Sequence, residues 1–465
     1  MTAPPDPRGG GLLLAFYGDD FTGSTDAMEA LTLSGLPTVL FLRPPSDEEL
    51  GRFAGYRAVG LAGVSRSKSP AWMDENLPGL FGALKRLGAP LFHYKVCSTF
   101  DSAPHVGSIG RAIDIGQGVF ASPFVPMVVG APALRRYVLF GNLFATVQGV
   151  THRLDRHPTM AHHPVTPMGE ADLRLHLCQQ TAKGIGLVDV LALRSGEADR
   201  RLDEAVADGA EVVLFDTLDE ASLAEAGRLI WSRCGGEAPV FSASSSGLEY
   251  ALVAHWRAAG LLPEPVPLPA PGEAERVVAA CGSCSPATAG QIEWALEHGF
   301  ADVALDARRL VTPEPAAAEA ETERAVERAL AALGAGRSVV LYSARGPADP
   351  SIGAFRAHLE RAGMERSEGT ERLGHALGRI LRAVLLRSGV RRAVVAGGDT
   401  SGQCGAELGL YALTVLAPTA PGSPLCRGAA EDPALDGLEI ALKGGQVGGP
   451  DYFEVVRRGC AAAVA

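Results

Sequence analysis

The chain has 465 residues, a length that suits two or three domains better than one. Its 47% hydrophobic and 20% charged residues exclude a mostly disordered protein. The 42 basic residues are outnumbered by 53 acidic ones, and the net charge of −11 argues against a dedicated nucleic-acid-binding protein. A small anionic substrate needs only a local basic pocket and is compatible with this charge.

No segment has the pattern of an export signal or a membrane span. The apolar run Leu12–Phe16 is followed at once by two aspartates, and the longer run Gly118–Leu134 contains three prolines, so we expect buried loops and strand there. Eight cysteines in a chain this long do not make a disulfide scaffold. The lone Cys281-Gly-Ser-Cys284 motif is interpreted as small residues in a tight glycine loop, with redox or zinc use as the alternative. We therefore expect a cytoplasmic protein without a membrane partner.

Short apolar runs alternate with amphipathic stretches through the first half of the chain. The predicted strands are Leu12–Tyr17, Thr38–Leu42, Ala58–Val64, Leu91–Val96, Leu187–Leu193 and Glu211–Phe215. The predicted helices include Ser24–Ser34, Asp74–Gly88 and Glu197–Asp208. Strands that alternate with helices predict βαβ units and a mainly parallel sheet.

The stretch Leu261–Gly272 contains five prolines and predicts a stiff linker. After it, the predicted strands are Arg276–Ala280, Ala301–Leu305, Ser338–Tyr342, Arg392–Ala396 and Leu413–Leu416. The predicted helices are Thr288–His298, Ala317–Leu333 and Ala354–Arg361. The pattern predicts an α/β protein of two α/β domains with mainly parallel sheets and an interdomain active-site cleft. The domains are placed at residues 1–262 and 273–465.

Three glycine- and hydroxyl-rich segments lie in the second half, two of them between a predicted strand and a helix. They are Cys281–Pro286, Gly397–Gly402 and Lys443–Gly449. Glycines let backbone N–H groups approach an anion, and the start of a following helix favours negative charge. One such loop is usually a tight turn, but three together indicate a bound phosphate ligand. The chain has no GxxxxGK[ST] motif and no protein-kinase motifs, and Gly116–Ala121 matches GxGxxA only in the wrong context.

A second group of polar residues lies in the first half, again where predicted strands end. Asp19 and Asp20 follow the first strand, and helix capping by Asp20, Thr22 or Ser24 is the alternative to a functional role. Arg66 follows the third strand, and Lys95 ends the fourth, just before Ser98 and Thr99. The histidines of Arg153–Pro167 lack a metal-site spacing and are interpreted as part of an ordered loop.

In motif order, the chain resembles the four-carbon acid-sugar kinases, which act on 3-oxo-tetronate, threonate or erythronate. Tyr17–Asp26 is similar to that family's opening DDFTGA-x-D motif. Gly282–Ser285, Gly397–Gly402 and Leu442–Gln446 are similar to its three nucleotide-domain loops. The resemblance covers nearly the whole chain. It implies a sugar-acid-binding N-terminal domain and a nucleotide-binding C-terminal domain that uses ATP.

The resemblance also implies site residues. ATP would contact Ser283, Ser285, Gly398, Asp399, Thr400, Ser401 and Gly445. The acid would lie near Asp20, Arg66 and Lys95, with Ser98 and Thr99 beside it. Where typical members read KIDSTLRGN, this chain has Cys97 in place of an acidic residue and Asp101 in place of a basic one. This departure concerns the substrate more than the reaction, and a branched or oxidised acid such as 3-oxo-isoapionate is a candidate.

Phosphoryl transfer needs positioning, charge compensation and a carboxylate base within reach of the attacking hydroxyl. We expect Asp20 to be the base, with Asp19 as the second candidate or a partner of magnesium. Arg66 offers a bidentate fork for the substrate carboxylate, and Lys95 adds a point charge. Mg²⁺ is expected with the ATP phosphates, although the sequence names no ligand for it. A nicotinamide-dependent sugar-acid dehydrogenase and a non-catalytic sensor are the alternatives, and a homo-oligomer stays open.

Overall fold

The structure, a computed structural model, describes residues 4–459. It contains two compact units, the first made of residues 4–39 and 44–266 and the second of residues 40–43 and 267–459. The predicted linker, residues 261–272, contains no helix or strand. Within residues 4–459, no helix combines the length and the apolar character needed to cross a bilayer.

The first unit alternates strands and helices, as the sequence predicts. Its strands are β1 (Leu14–Gly18), β2 (Thr38–Phe41, which extends into the second unit), β3 (Ala58–Ala62), β4 (Leu91–Lys95), β5 (Val125–Val128), β6 (Arg136–Leu139), β7 (Asn142–Val147), β8 (Val150–Arg153), β9 (Ile185–Val188), β10 (Val212–Phe215) and β11 (Val240–Ser244). Its helices are α1 (Phe21–Leu33), α2 (Asp47–Gly51), α3 (Pro70–Lys85), α4 (Ile109–Phe120), α5 (Leu173–Leu177), α6 (Val190–Ser195), α7 (Ala198–Ala207), α8 (Glu220–Trp231) and α9 (Gly247–Ala258).

Parallel strands form the core of this unit. One sheet has the order β11-β4-β1-β3, and a second has the order β5-β10-β9; every pairing in both is parallel. All five residues of β1 and of β4 are buried, as expected for a parallel sheet covered on both faces. A third, antiparallel sheet, β6-β7-β8, completes the unit. The carboxyl ends of the parallel strands therefore share one edge, where ligand-binding residues collect in such folds.

The second unit follows the same plan. Its strands are β12 (Val278–Cys281), β13 (Ala301–Ala304), β14 (Val339–Tyr342), β15 (Arg392–Ala396), β16 (Leu410–Ala420), β17 (Ser423–Ala430) and β18 (Leu438–Lys443). Its helices are α10 (Pro286–Glu297), α11 (Ala307–Leu310), α12 (Pro315–Gly334), α13 (Pro350–Arg361), α14 (Arg366–Ser388), α15 (Gly398–Glu407) and α16 (Tyr452–Arg458). Strands β18-β15-β12-β14-β13 pair in parallel, and β16 and β17 extend this sheet in antiparallel fashion.

The predicted α/β class with mainly parallel sheets is confirmed, but several elements differ. Only Leu187 and Val188 of the predicted strand Leu187–Leu193 lie in a strand, because the Asp189 side chain accepts hydrogen bonds from two backbone N–H groups and starts α6. Strand β5 lies within Gly118–Leu134, where buried loops and strand are predicted, whereas strands β11, β17 and β18 and the long helix α14 were not predicted as elements. The antiparallel sheet β6-β7-β8 was also missed.

Candidate active site

The carboxyl ends of β1, β3 and β4 bring the predicted acid-site residues together. Asp19 directly follows β1, Arg66 lies in a short helical turn after β3, and Lys95 is the last residue of β4. The backbone ties them: the Asp19 N–H donates to the Lys95 carbonyl at 2.9 Å, and the Arg66 N–H donates to the Asp19 carbonyl at 2.9 Å. The parallel register of the strands thus sets the spacing of these side chains.

Asp19 and Arg66 form a buried, bidentate ion pair. The Arg66 guanidinium donates from Nη2 to Oδ1 at 2.6 Å and from Nε to Oδ2 at 3.1 Å. Burial raises the pKa of the Asp19 carboxyl to about 6, although the Arg66 charge opposes this rise. Asp19 therefore fills the fork that the sequence offers to a substrate carboxylate. Arg66 keeps one further N–H on each terminal nitrogen.

Asp20 is the accessible carboxylate of this group. Its Oδ1 accepts the Gly23 N–H at 2.8 Å, so it does cap α1. Its Oδ2 lies 2.8 Å from Arg66 Nη1, and its side chain is 28% exposed, against 2% for Asp19. Each carboxylate oxygen keeps a second lone pair. Capping and proton acceptance are therefore compatible roles for Asp20.

Gly23 leaves room above these groups. A Cβ atom at this position would lie 2.5 Å from Asp20 Oδ1, 3.2 Å from Lys95 Nζ and 3.4 Å from Arg66 Nη2. A glycine is required here because the two cations and the carboxylate approach its Cα closely.

Lys95 is almost fully buried and faces Asp26, with 3.4 Å between Nζ and Oδ2. Burial acts to lower the pKa of Lys95, but the carboxylates of Asp26 and Glu249 outweigh it and raise the pKa. Lys95 is therefore a fixed positive charge at this edge. The role of Asp26 was not predicted, although it closes the motif that begins at Tyr17.

The loop after β4 carries a chain of hydrogen bonds. The Cys97 thiol lies 3.0 Å from Thr99 Oγ1, which donates to Asp101 Oδ1 at 2.5 Å. Burial is the main cause that raises the pKa of the Cys97 thiol to about 11, and the negative charge of Asp101 is the second. This thiol is therefore neutral. Thr99 is buried and Ser98 half-buried, and of these two predicted residues Thr99 contributes its hydroxyl to this chain of hydrogen bonds.

The histidines of Arg153–Pro167 make local hydrogen bonds. In the histidine-rich segment, His157 accepts the backbone N–H groups of Thr159 and Met160, and His163 accepts that of Thr166. In the described part of the chain, no group of three His, Cys, Asp or Glu side chains is placed to hold a metal ion.

In the second unit, the three glycine loops converge. They follow β12, β15 and β18, which are neighbouring parallel strands, so the third loop also follows a strand. The N–H groups of Gly282 and Ser283 both donate to the Ala396 carbonyl at 3.0 Å, and the Gly397 N–H donates to the Lys443 carbonyl at 2.9 Å. The helices α10 and α15 start directly from the first two loops, which places two helix N-termini side by side.

Hydroxyl groups and a close glycine shape this junction. Ser285 caps α10 by accepting the Thr288 N–H, and its Oγ donates to the Gly445 carbonyl at 2.5 Å. A Cβ atom on Gly445 would lie 2.4 Å from Ser283 Oγ. The predicted residues Ser283, Ser285 and Gly445 are therefore in contact.

The second loop forms the first turn of α15. Thr400 is buried, and a Cβ atom placed on Gly282 would lie 2.3 Å from Thr400 Oγ1. The Thr400 side chain therefore packs between the first two loops. The Ser401 hydroxyl is also buried and donates to the Gly397 carbonyl at 2.7 Å. Gly398 is half-buried and Asp399 is exposed. Thr400 and Ser401 hold the loop, whereas Asp399 is accessible.

Lys443, at the end of β18, lies beneath the third loop. Its Nζ is buried and donates to Thr288 Oγ1 at 3.2 Å. Burial lowers the pKa of Lys443 to about 8. A buried ammonium beside three glycine loops and the N-termini of α10 and α15 makes this junction suitable for phosphate.

A mostly apolar cavity of about 170 Å³, whose lining also includes Arg356 and Arg366, adjoins the first loop. It is lined by Gly282 and Cys284 of the loop and by helix residues that include Ile352, Phe355 and Leu359. Cys281 and Cys284 are both free thiols, so the Cys281-Gly-Ser-Cys284 motif forms no disulfide. The cavity places an apolar surface next to the phosphate-suited loops, an arrangement that fits a nucleoside with its phosphates.

Comparison with known proteins agrees with both units. Residues 14–252 match the model of a sugar-binding N-terminal domain, and residues 278–453 match that of a nucleotide-binding C-terminal domain. The chain is 53% identical over 466 residues to the 3-oxo-isoapionate kinase of Paraburkholderia graminis, with 98% of each chain covered. It is 31% identical to the 3-oxo-tetronate kinase of Cupriavidus necator, with 96% of each chain covered.

A crystal structure of a Haemophilus influenzae protein has the same fold. Its TM-score is 0.72 at 24% identity, and the match covers 95% of this chain and 99% of that one. The full-length relatives are kinases, so the kinase prediction is confirmed, and the dehydrogenase and sensor alternatives gain no support. The motifs, both domain models and the full-length relatives agree that the chain belongs to the family of four-carbon acid-sugar kinases.

Proposed function

We propose that this chain transfers the γ-phosphoryl group of ATP to a terminal hydroxyl of a small four- or five-carbon sugar acid, and that 3-oxo-isoapionate is its substrate. The 53% identity to a 3-oxo-isoapionate kinase over 98% of the chain supports this choice of acid. The observation that carries the chemistry is Asp20, an accessible carboxylate with the charges of Arg66 and Lys95 fixed behind it.

In the proposed step, Asp20 accepts the proton of the terminal hydroxyl as its oxygen attacks the γ-phosphorus of ATP. The bond from the γ-phosphorus to the bridging oxygen breaks, and ADP leaves with the electron pair. Arg66 and Lys95 offset the negative charge of the reacting groups, and Arg66 donates to the acid through its remaining N–H groups. Asp19 holds Arg66 in place, and Ser98 and Thr99 border the acid.

The nucleotide is assigned to the second unit. The phosphates would lie on the loops that contain Ser283, Ser285, Gly398 and Gly445, where backbone N–H groups and helix N-termini favour anions. Thr400 and Ser401 hold these loops in shape. The apolar cavity beside Gly282 would take the adenine base, whose flat apolar faces suit such a lining.

Mg²⁺ would come with the ATP phosphates. Magnesium at nucleotide sites is commonly held by one or two carboxylates together with phosphate oxygens, not by a cage of protein ligands. Asp399 fits this requirement, since it is an exposed carboxylate in the first turn of α15. The ion would neutralise phosphate charge there.

The site of action proposed for the chain is the cytoplasm. The free thiols of Cys281 and Cys284 in the nucleotide loop suit a reducing compartment. The sugar acid is the proposed small-molecule partner, and a homo-oligomer stays a prediction.

An ADP-release screen tests this function. The purified chain is supplied with ATP, Mg²⁺ and each of a set of four- and five-carbon sugar acids that includes 3-oxo-isoapionate. We expect acid-dependent ADP release, fastest with 3-oxo-isoapionate, and a phosphorylated acid identified by mass spectrometry. Faster turnover of an unbranched four-carbon acid would refute the substrate, and no acid-dependent release with any acid would refute the function.

A further inference from the structure

The first unit has a second basic residue at the edge that carries Asp20, and the proposed function does not use it. Arg136 is the first residue of β6 and follows the loop that leaves β5. The ends of β5 and β11 are joined, because the Ser245 N–H donates to the Val128 carbonyl at 3.0 Å and β11 pairs with β4. The loops after β4 and β5 therefore emerge at the same edge of neighbouring parallel strands.

The guanidinium of Arg136 has only neutral partners. Its Nη1 donates to the carbonyls of Leu134, Arg135 and Thr146 at 3.0–3.3 Å. Its Nε is buried without an acceptor, and no carboxylate within residues 4–459 forms an ion pair with it. Burial lowers the pKa of Arg136, which means that its charge is held at a cost. A half-buried cation without a counter-ion is suited to bind an anion.

The two arginines at this edge differ in charge balance. Arg66 contacts both Asp19 and Asp20, so two carboxylates already offset its charge. A substrate carboxylate placed on Arg66 would add a third negative group to one guanidinium, beside the proposed base. Arg136 offers the same planar fork without that repulsion.

The loop after β4 connects the two ends of this edge. Cys97, as a neutral thiol, lies near both Arg66 and Arg136, and the Asp101 carboxylate helps to hold the charge of Arg136. Asp101 is nevertheless not within ion-pair distance of Arg136. His157 belongs to the same neighbourhood, since the Arg136 charge helps to lower the pKa of its imidazole. The Cys97–Thr99–Asp101 chain thus runs from the Asp20 end of the site to the Arg136 end.

We infer that Arg136 binds the carboxylate of the sugar acid and so fixes which end of the substrate meets Asp20. This inference rests on the proposed function and adds the orientation of its substrate. The carboxylate lies at the start of β6, and the terminal hydroxyl lies at Asp20, at the start of α1. The departure from the family motif at Cys97 and Asp101 falls between these two points.

Comparing an acid with its neutral analogue tests the assignment. The probes are the sugar acid with the highest turnover in the screen, or 3-oxo-isoapionate if no acid turns over, and the primary carboxamide of the same molecule. Calorimetry measures the binding of each probe to the full chain, and ADP release measures kcat/KM. The variants are Arg136→Met, Arg136→Lys and Arg66→Met, with Arg135→Met as the matched control, because Arg135 is an exposed arginine next in the chain.

For Arg136→Met we expect the affinity for the acid to fall about 10- to 150-fold, the range of one lost charge-assisted hydrogen bond. Affinity for the carboxamide and KM for ATP should not change, so the preference for the acid is lost. Arg136→Lys should lose less, and Arg135→Met should match the wild type. A merely structural role of Arg136 would weaken the acid and the amide equally.

Several results would overturn the inference. The first is an equal loss of affinity for the acid and the carboxamide in Arg136→Met. The second is an unchanged preference for the acid over the carboxamide in that variant. The third is a preference for the acid that disappears in Arg66→Met but not in Arg136→Met. If Arg136→Met does not fold, Arg136→Lys decides the point, and a wild-type preference in that variant, which lacks the planar fork, also refutes the assignment. Absence of ADP release by the wild type would refute the proposed function, whereas calorimetry would still test Arg136.

Discussion

Replacing Asp20 by Asn separates its two roles. Asn keeps the oxygen that accepts the Gly23 N–H at 2.8 Å, and Asn caps helices about as well as Asp. The variant loses the ion pair with Arg66, which in a side chain 28% exposed is worth about 0.5–1 kcal/mol. It also loses the ability to take up the proton, so kcat should fall by about 10²–10⁴. Thermal melting and ADP release measure the two effects on one preparation.

Asp19→Asn is the matched comparison. Its carboxylate is 2% exposed and holds Arg66 through two hydrogen bonds, so its removal leaves a buried arginine with a weakened partner. Breaking such a pair costs about 3 kcal/mol, and the melting temperature should fall by roughly 6–12 °C. Asp20→Asn should therefore lose much activity and little stability. Asp19→Asn should mainly lose stability. Wild-type turnover in Asp20→Asn would show that the proposed base has only a capping role.

Three further predictions concern glycines and the buried lysine. Gly23→Ala places a methyl group 2.5 Å from the carboxylate of the proposed base, so kcat/KM for the acid should fall at least about tenfold in steady-state assays. Gly79→Ala adds a methyl group in open space and should leave kcat/KM unchanged. Gly445→Ala, with a new contact of 2.4 Å, should raise KM for ATP but not for the acid, and Gly290→Ala is its silent control. The pKa of Lys443 is lowered to about 8 from 10.5, so between pH 8 and 10.5 the folded chain loses this proton while the unfolded chain keeps it. Raising the pH over this range should therefore increase the free energy of unfolding in denaturant titrations. It should also weaken ATP binding in calorimetry, because the positive charge of Lys443 is lost. Loss of both trends together is expected in Lys443→Met; an identical pH response in that variant would refute the role of the lysine.

Much of the fold follows from local patterns in the sequence. The strands β1, β3 and β4 are short, apolar runs with polar residues at their ends, and these patterns predict both the parallel sheet and the edge at which Asp19, Arg66 and Lys95 meet. The glycine loops are found in the same way. In these cases, a polar or glycine-rich segment that directly follows a predicted strand is enough to identify a candidate site residue.

The rest depends on contacts that are remote in the sequence. The fork of Arg66 is filled by a residue 47 positions earlier, and no local pattern shows that pairing. Arg136 stands in a stretch without a motif, and its lack of a counter-ion becomes visible only when its neighbours are known. The end of β9 was missed for another reason, since a single capping side chain at Asp189 turns an apolar run into a helix.

The antiparallel sheet β6-β7-β8 has an evolutionary consequence. Its three strands form ladders only with one another, and single bridges, such as that between Val138 and Thr217, join it to the loops around the parallel strands. The residues at the ends of β1, β3 and β4, by contrast, are tied to the buried core. Under the proposed role of Arg136, changes in this small sheet would alter which acid is recognised without moving the strand ends that carry Asp19, Arg66 and Lys95.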